Sequence, residues 1–274
     1  MRKYFAVFRA CDVVQSLHGA PRPFGLSKGD LIRICFASLQ ESLQAVPHEI
    51  HVIGDRISEP LQAFFREHGA AVTVGTYGND ASIRASFEFG MTRPDDEWVY
   101  VVEDDYLHQP HTFAFIDDFI ANRAAIMRDA PLRLQRRSTW YENLFVRRLA
   151  DRPLFIHPPD YPDRYMSEKR RFSMLFCSSK CHWRQVGNST FTVLAEGRTL
   201  RRFRVPILRS ATGARDGYLS RKLYGNLRFG RRGLCVSPIP GLATHMHETT
   251  MTPLVDWAAI VERQRKRLSG ALTH

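Results

Sequence analysis

The chain predicts an α/β fold: a mostly parallel, Rossmann-like sheet flanked by helices, followed by a less regular second half. Short Val- and aromatic-rich runs alternate with amphipathic helical runs through residues 4–128. The links between them have the few-residue length of βα units, which implies right-handed crossovers. Two apolar runs stop abruptly on acids, Asp55 and Glu103-Asp104-Asp105. The carboxyl ends of parallel strands are where such sheets bind ligands.

Residues 4–8 read as the first strand, followed by a turn-rich loop holding Arg9, Asp12, His18, Pro21 and Pro23. Ser27 can cap a helix, with Asp30 three residues on and Leu31, Ile34, Cys35, Ser38, Leu39 and Leu43 at helical spacing. Residues 49–55 form a second strand. Ser58-Glu59-Pro60 reads as a helix start: a cap, an acid and an early proline. That helix carries Leu61, Phe64 and Phe65 and stops at Gly69. A strand over 71–74, a helix over 81–91, a strand over 99–102 and a helix over 111–128 complete the first half. In the second half, strands are expected at 172–177, 191–194 and 234–236, with a helix over 215–224. Pro153, Pro158, Pro159 and Pro162 mark a long loop. The division expected is one domain over 1–250, with halves 1–130 and 131–250, and a basic helix or tail over 251–274.

The 274 residues suffice for a sizeable core, and 44% hydrophobic with 24% charged content is ordinary for a soluble globular protein. No apolar stretch approaches the roughly 20 residues of a membrane span, and the N-terminal apolar run is too short for a signal peptide. Five scattered cysteines suit reduced thiols and a cytoplasmic setting. Cys177, Cys181 and His182 lack a second pair at structural-zinc spacing and read as plain thiols and a histidine. The net charge of +11 favours anionic partners, and the excess lies in the second half. Arg147-Arg148, Lys169 to Arg171, Arg198 to Arg204, Arg221-Lys222, Arg228 to Arg232 and the helix ending Arg263 to Arg267 make basic patches that also suit the inner face of a membrane.

Three consecutive carboxylates at the end of a buried strand repel one another and lose hydration. A cation should compensate them, and a divalent metal holding a diphosphate is one candidate. A solvated loop after the strand is the other reading.

The order of these motifs resembles the nucleotide-sugar glycosyltransferases of GT-A fold, near family 2. The resemblance rests on the strand–helix order, on Asp55 after the second strand, and on Val101-Val102-Glu103-Asp104-Asp105, a Glu-Asp-Asp form of the DxD-like motif. It implies transfer of a sugar from a UDP- or GDP-linked donor to a hydroxyl of a glycan or lipid-linked acceptor, with inversion. It implies Mn²⁺ or Mg²⁺ on Asp105, with His245 or His247 of Thr244-His245-Met246-His247-Glu248 as further ligand. Arg9, Asp12, Asp55, Asn79, Ser82, Glu103 and Asp104 would contact the nucleotide and sugar. In Ala214-Arg215-Asp216-Gly217, where relatives carry Glu-Asp, Asp216 alone can be the general base.

Plain structural roles stay open at several of these positions. Asp216 suits the first turn of a helix, Asp55 suits a turn cap, and His245 and His247 at alternate positions can share one strand face. Other functions stay open as well. A metal-dependent phosphoesterase or nuclease would use the same acids and His-x-His, though no second carboxylate–histidine cluster is evident. A non-catalytic nucleic-acid-binding protein would use the positive charge, though no such motif is present. Nucleic acid is therefore the less favoured partner.

Overall fold

The structure, a computed structural model, describes residues 1–13, 22–128, 149–166, 173–224 and 232–270. The expectations at His18, Arg147-Arg148, Lys169 to Arg171, Phe172 and Arg228 to Arg231 lie outside these residues. In chain order the first half is β1 (Tyr4–Ala10), α1 (Lys28–Leu43), β2 (His48–Asp55), α2 (Glu59–Glu67), β3 (Ala71–Gly75), α3 (Asn79–Met91), β4 (Trp98–Glu103), β5 (Tyr106–His108) and α4 (Thr112–Arg128). The second half is β6 (Leu154–Ile156), β7 (Leu175–Cys177), β8 (His182–Gln185), β9 (Val193–Glu196), α5 (Gly197–Arg202), α6 (Arg204–Ala211), α7 (Asp216–Leu223), β10 (Leu234–Ile239), β11 (Ala243–His245) and α8 (Trp257–Leu268).

The fold is mixed α/β. Among the described residues a nine-stranded sheet has the order β3-β2-β1-β4-β9-β6-β10-β8-β7. Strands β1 to β4 are mutually parallel. β9 runs against both β4 and β6, β10 is parallel to β6, and β8 runs against β10 and β7. Seven of the nine strands therefore share one direction. A second, two-stranded sheet pairs β5 with β11.

Strand alternation builds the layers. Tyr4, Ala6 and Phe8 of β1, with Trp98, Tyr100 and Val102 of β4, pack with α1, α2 and α4 through Phe36, Phe65 and Phe113. Phe5, Val7, Val99 and Val101 point the other way, onto α3, α5, α6 and α7 through Phe87, Leu200, Ile207 and Leu219. Each fully buried side chain of this kind contributes about 1.5–3 kcal/mol. A third cluster fixes α8: Trp257 and Val261 pack with Leu31, Ile34 and Cys35 of α1 and Leu107 of β5. The basic C-terminal helix is thus docked. Arg263 and Arg267 direct their charge at the buried Glu41 carboxylate, which also accepts from Gln264. Burial pushes the Glu41 carboxyl up, and these hydrogen bonds and charges outweigh it and hold it low.

Ser27 caps α1 as its spacing suggests, accepting from the Asp30 amide at 3.1 Å. Ser58 precedes α2 without a side-chain cap and donates its hydroxyl to Asp12 at 2.5 Å. The proline-rich loop contains β6, which enters the sheet between β9 and β10. β6 is not visible in the sequence pattern, because at three residues a period cannot register, and β11 shows there only through the alternate His245 and His247. Among the described residues no helix is long and apolar enough to cross a membrane.

Candidate active site

The sheet reverses its strand order at β1. The chain winds outward through β2 and β3, then returns to place β4 on the other side of β1. In an open α/β sheet the crevice at such a switch point, outside the carboxyl ends of the strands, is the ligand site. Arg9 and Glu103 are register partners there.

The same alternation that builds the core distributes the three acids. Glu103 follows Val99 and Val101 onto the α3 side, as Arg9 follows Phe5 and Val7. The two side chains form an ion pair, and Arg9 also donates to Asn79 Oδ1 and Ser82 Oγ of α3, each at 3.2 Å. Asp104 turns to the α1 side. Its Oδ1 accepts from Lys28 Nζ at 2.7 Å and its Oδ2 from the Cys11 amide at 2.8 Å. Asp105 meets His245, whose Nε2 lies 3.0 Å from its Oδ2.

The small second sheet brings His245 to Asp105 across 140 residues of chain. His245 pairs with Tyr106 in register, their rings stack at 5.1 Å, and the Met246 amide donates to the Asp105 carbonyl at 2.8 Å. The other ring nitrogen, Nδ1, lies 2.8 Å from Thr250 Oγ1. His247 stacks beside His245 with ring centroids 5.8 Å apart and places its Nδ1 3.0 Å from Thr249 Oγ1. Tyr106 reaches the opposite wall, bonded through its hydroxyl to Tyr161 and Thr190, while Thr192 Oγ1 accepts from the Glu103 amide.

Three acids thus face Arg9, Lys28 and His245. Burial is the strongest influence on Glu103 and Asp104 and pushes both carboxyls above their ordinary range, against the charges of Arg9 and Lys28. At Asp105 burial is outweighed by the charge and hydrogen bond of His245, and that carboxyl is held low. Burial pulls His245 down, and the Asp105 carboxylate more than reverses this, so the imidazole is raised.

The remaining expected residues bond to groups other than the acidic triplet. Asp55 is 3% exposed. It accepts from the amides of Tyr77 and Gly78 at 2.7 and 3.0 Å and from the Arg56 side chain. It thereby shapes the turn that opens α3. Asp12 accepts the Ser58 amide and hydroxyl at the start of α2. Asp216 opens α7, with its carboxylate accepting the Gly217 amide at 2.6 Å. No hydrogen bond or ion pair joins it to the acids among the described residues. Its turn is nonetheless tied to both walls. The Gly213 amide donates to Asp80 of α3 at 2.6 Å, and Ser220 of α7 bonds Asn188 and Ser189 beside Thr190.

Lys28 is the site residue that sequence reasoning missed. It did leave a signal: a cation in the first turn of a helix opposes the helix dipole. Such local conflicts tend to mark functional positions. The need for a cation was read correctly, but Arg9 and Lys28 supply much of it.

What remains is a pair of donors of the kinds a divalent ion takes, a carboxylate and an imidazole. Asp105 Oδ1 is buried without a hydrogen-bond partner. An Asp oxygen and an imidazole nitrogen 3.0 Å apart have the spacing of neighbouring ligands on one ion. Among the described residues no group of three or more Cys, His, Asp or Glu side chains is placed to hold a metal ion. Mg²⁺-type ions are commonly held by one or two protein groups plus substrate phosphates, so a partial donor set is consistent with an ion that arrives with a diphosphate.

No protein-family model matches the chain, and no curated protein matches it. Among solved structures, the chain is similar to a nucleotidyl transferase from Methanothermobacter thermautotroptrophicus, at 12% identity and a TM-score of 0.41, covering 96% of this chain and 98% of that one. It is similar to the galactosyltransferase LgtC in complex with donor and acceptor sugar analogues, at 12% identity and a TM-score of 0.42, covering 80% and 69%. It is also similar to a CMP:2-keto-3-deoxy-manno-octonic acid synthetase complexed with CTP, at 13% identity and a TM-score of 0.41, covering 98% and 100%.

Proposed function

We propose that the protein is a metal-dependent glycosyltransferase that moves a sugar from a nucleoside-diphosphate donor to an acceptor hydroxyl. The Asp105–His245 pair at the switch-point crevice, with Asp105 Oδ1 buried and unpartnered, carries this reading. The charges of Glu103, Asp104 and Asp105 are already balanced by Arg9, Lys28 and His245, so a diphosphate arriving alone would bring negative charge that no free cation among the described residues here answers. An accompanying cation removes that excess.

Asp105 and His245 would hold the ion, with His247 alongside. Mn²⁺ accepts both carboxylate and imidazole ligands. When bound, it neutralises charge on the leaving diphosphate as a Lewis acid. The chain's own groups do the rest. Glu103, held by Arg9, lines the crevice toward α3, where Asn79 and Ser82 face the ribose. The Tyr77-Gly78 turn shaped by Asp55 lies beyond them. Asp104 holds Lys28 and the Cys11 amide, and Asp12 holds the start of α2, so both keep the rim in place. Asp216 takes the acceptor proton as general base, an effect typically worth about 10²–10⁴-fold. The acceptor chemistry, UDP versus GDP, and association with a membrane surface through the basic patches belong to the same proposal.

Two outcomes are expected here. Asp216→Asn keeps metal-dependent nucleotide affinity and lowers transfer by about 10²-fold or more. Unchanged turnover in a sugar-transfer or donor-hydrolysis assay removes Asp216 from the mechanism. Mn²⁺ affinity, measured by titration calorimetry in the presence of UDP, rises with pH. His245 is raised above its ordinary value, so the protonated pair with Asp105 is intact below about 6.5 and is lost as pH climbs through the raised value. A metal must displace that proton, so affinity should climb about ten-fold per pH unit up to that value and then level off. A flat profile across pH 6–8 would contradict the role of His245.

A further inference from the structure

Residues 197–223 carry eight cations (seven Arg and Lys222) against one acid, Asp216. Some of this charge is locally compensated: Arg198 pairs with Glu196, Arg201 with Asp95 and Arg204 with Glu88. On α7 it is not. Arg215, Tyr218 and Lys222 recur at the spacing that lines one side of a helix, away from the buried Leu219, Ser220 and Leu223. The Arg215 guanidinium lies 5.5 Å from the Tyr218 ring centroid and the Lys222 ammonium 5.7 Å from it. Arg215 donates only to the carbonyls of Thr212 and Arg209, and no carboxylate lies within ion-pair reach of it or of Lys222 among the described residues. Both cations lie over the half-buried Tyr218 ring, so the helix side sets an aromatic surface for a sugar ring beside two charges for anionic substituents.

We infer that this face of α7 is an acceptor subsite for an anionic glycan, a chain of sugar rings bearing carboxylate or phosphate groups. This rests on the transferase reading and adds the chemical class of the acceptor. The position suits it: the α7 turn is tied to α3 through Gly213 and Asp80, and to the crevice wall through Ser220 and Asn188. A chain lying on Tyr218 therefore passes the end of the helix where Asp216 stands.

The test uses dye-labelled alginate oligosaccharide, a short polyphosphate and neutral dextran of matched length, titrated against the full chain at low ionic strength by fluorescence polarisation. Alginate is expected to bind at least about ten-fold more tightly than dextran. Arg215→Ala/Lys222→Ala removes that preference. Tyr218→Ala weakens alginate, which has rings to stack, and leaves polyphosphate unchanged. Comparing alginate with polyphosphate separates carboxylate from phosphate recognition. If the double variant does not fold, Lys222→Glu carries the same expectation alone. The proposal is overturned if the preference survives these changes, if dextran binds as well as alginate, or if the equal charge loss Arg202→Ala/Arg204→Ala abolishes binding to the same degree. Mn²⁺-dependent UDP affinity is read on the same samples. Its absence in the unmodified protein defeats the transferase reading, while the glycan titrations report on α7 by themselves.

Discussion

Asp105→Ala is expected to abolish metal-dependent nucleoside diphosphate binding while leaving the fold intact. The lost group is the one site carboxylate with an unpartnered buried oxygen. It is also the partner that raises His245, so both halves of the donor pair are altered at once. A metal contact on phosphoryl oxygens is worth several kcal/mol, which corresponds to about 10²–10³-fold in affinity. Stability should change little, because the pair is partly open, at 31% and 25% side-chain exposure. Half-open pairs of this kind contribute about 1 kcal/mol. Calorimetric titration with UDP and GDP, with and without Mn²⁺, alongside a thermal melt, measures both sides. Undiminished metal-dependent affinity in this variant would end the metal assignment at Asp105.

Lys28→Met is expected to produce the largest loss of stability among the site residues. It keeps the aliphatic volume and removes the ammonium 2.7 Å from Asp104, whose side chain is 10% exposed. Removing one partner of a buried pair strands the other charge, and such losses run to about 3–5 kcal/mol. At this crevice, where Lys28 is itself 17% exposed, about 2–4 kcal/mol is expected. The sign with pH follows. Burial already raises the Asp104 carboxyl, and without Lys28 it rises further. The deficit is therefore full at neutral pH and shrinks as pH falls and Asp104 protonates, so denaturant midpoints for variant and unmodified protein should converge in acid. Lys28→Met/Asp104→Asn should recover most of the loss, since it removes the stranded charge as well. A single variant within about 0.5 kcal/mol of the unmodified protein at neutral pH would show that the pair is not structural.

The alternating first half, β5 apart, was legible because its elements are long enough for a period to register and carry their own punctuation. Ser27 capping α1 and Pro60 at the start of α2 are local features, and so are the acids that end β2 and β4. The same locality placed Asp55 and the acidic triplet at the ligand edge. It could not divide the labour within the triplet. That depends on which side of β4 each residue faces one step past the strand, and on which helix waits there: α3 and Arg9 for Glu103, α1 and Lys28 for Asp104, the β5–β11 ribbon and His245 for Asp105. Asp55 and Asp12 are alike in this respect. The resemblance implies nucleotide contacts for both, and the structure gives each carboxylate bonds at the start of a neighbouring helix, which no local pattern announces.

What the sequence by itself determined is the α/β layering, the edge of the sheet that carries the acids, and the demand for positive charge beside them, because these follow from periodicity and from the cost of burying carboxylates. Only the tertiary structure decided which cation answers which acid and which oxygen stays open, since β11 is three residues long, reaches Asp105 across 140 residues of chain, and leaves no local sign of its partner.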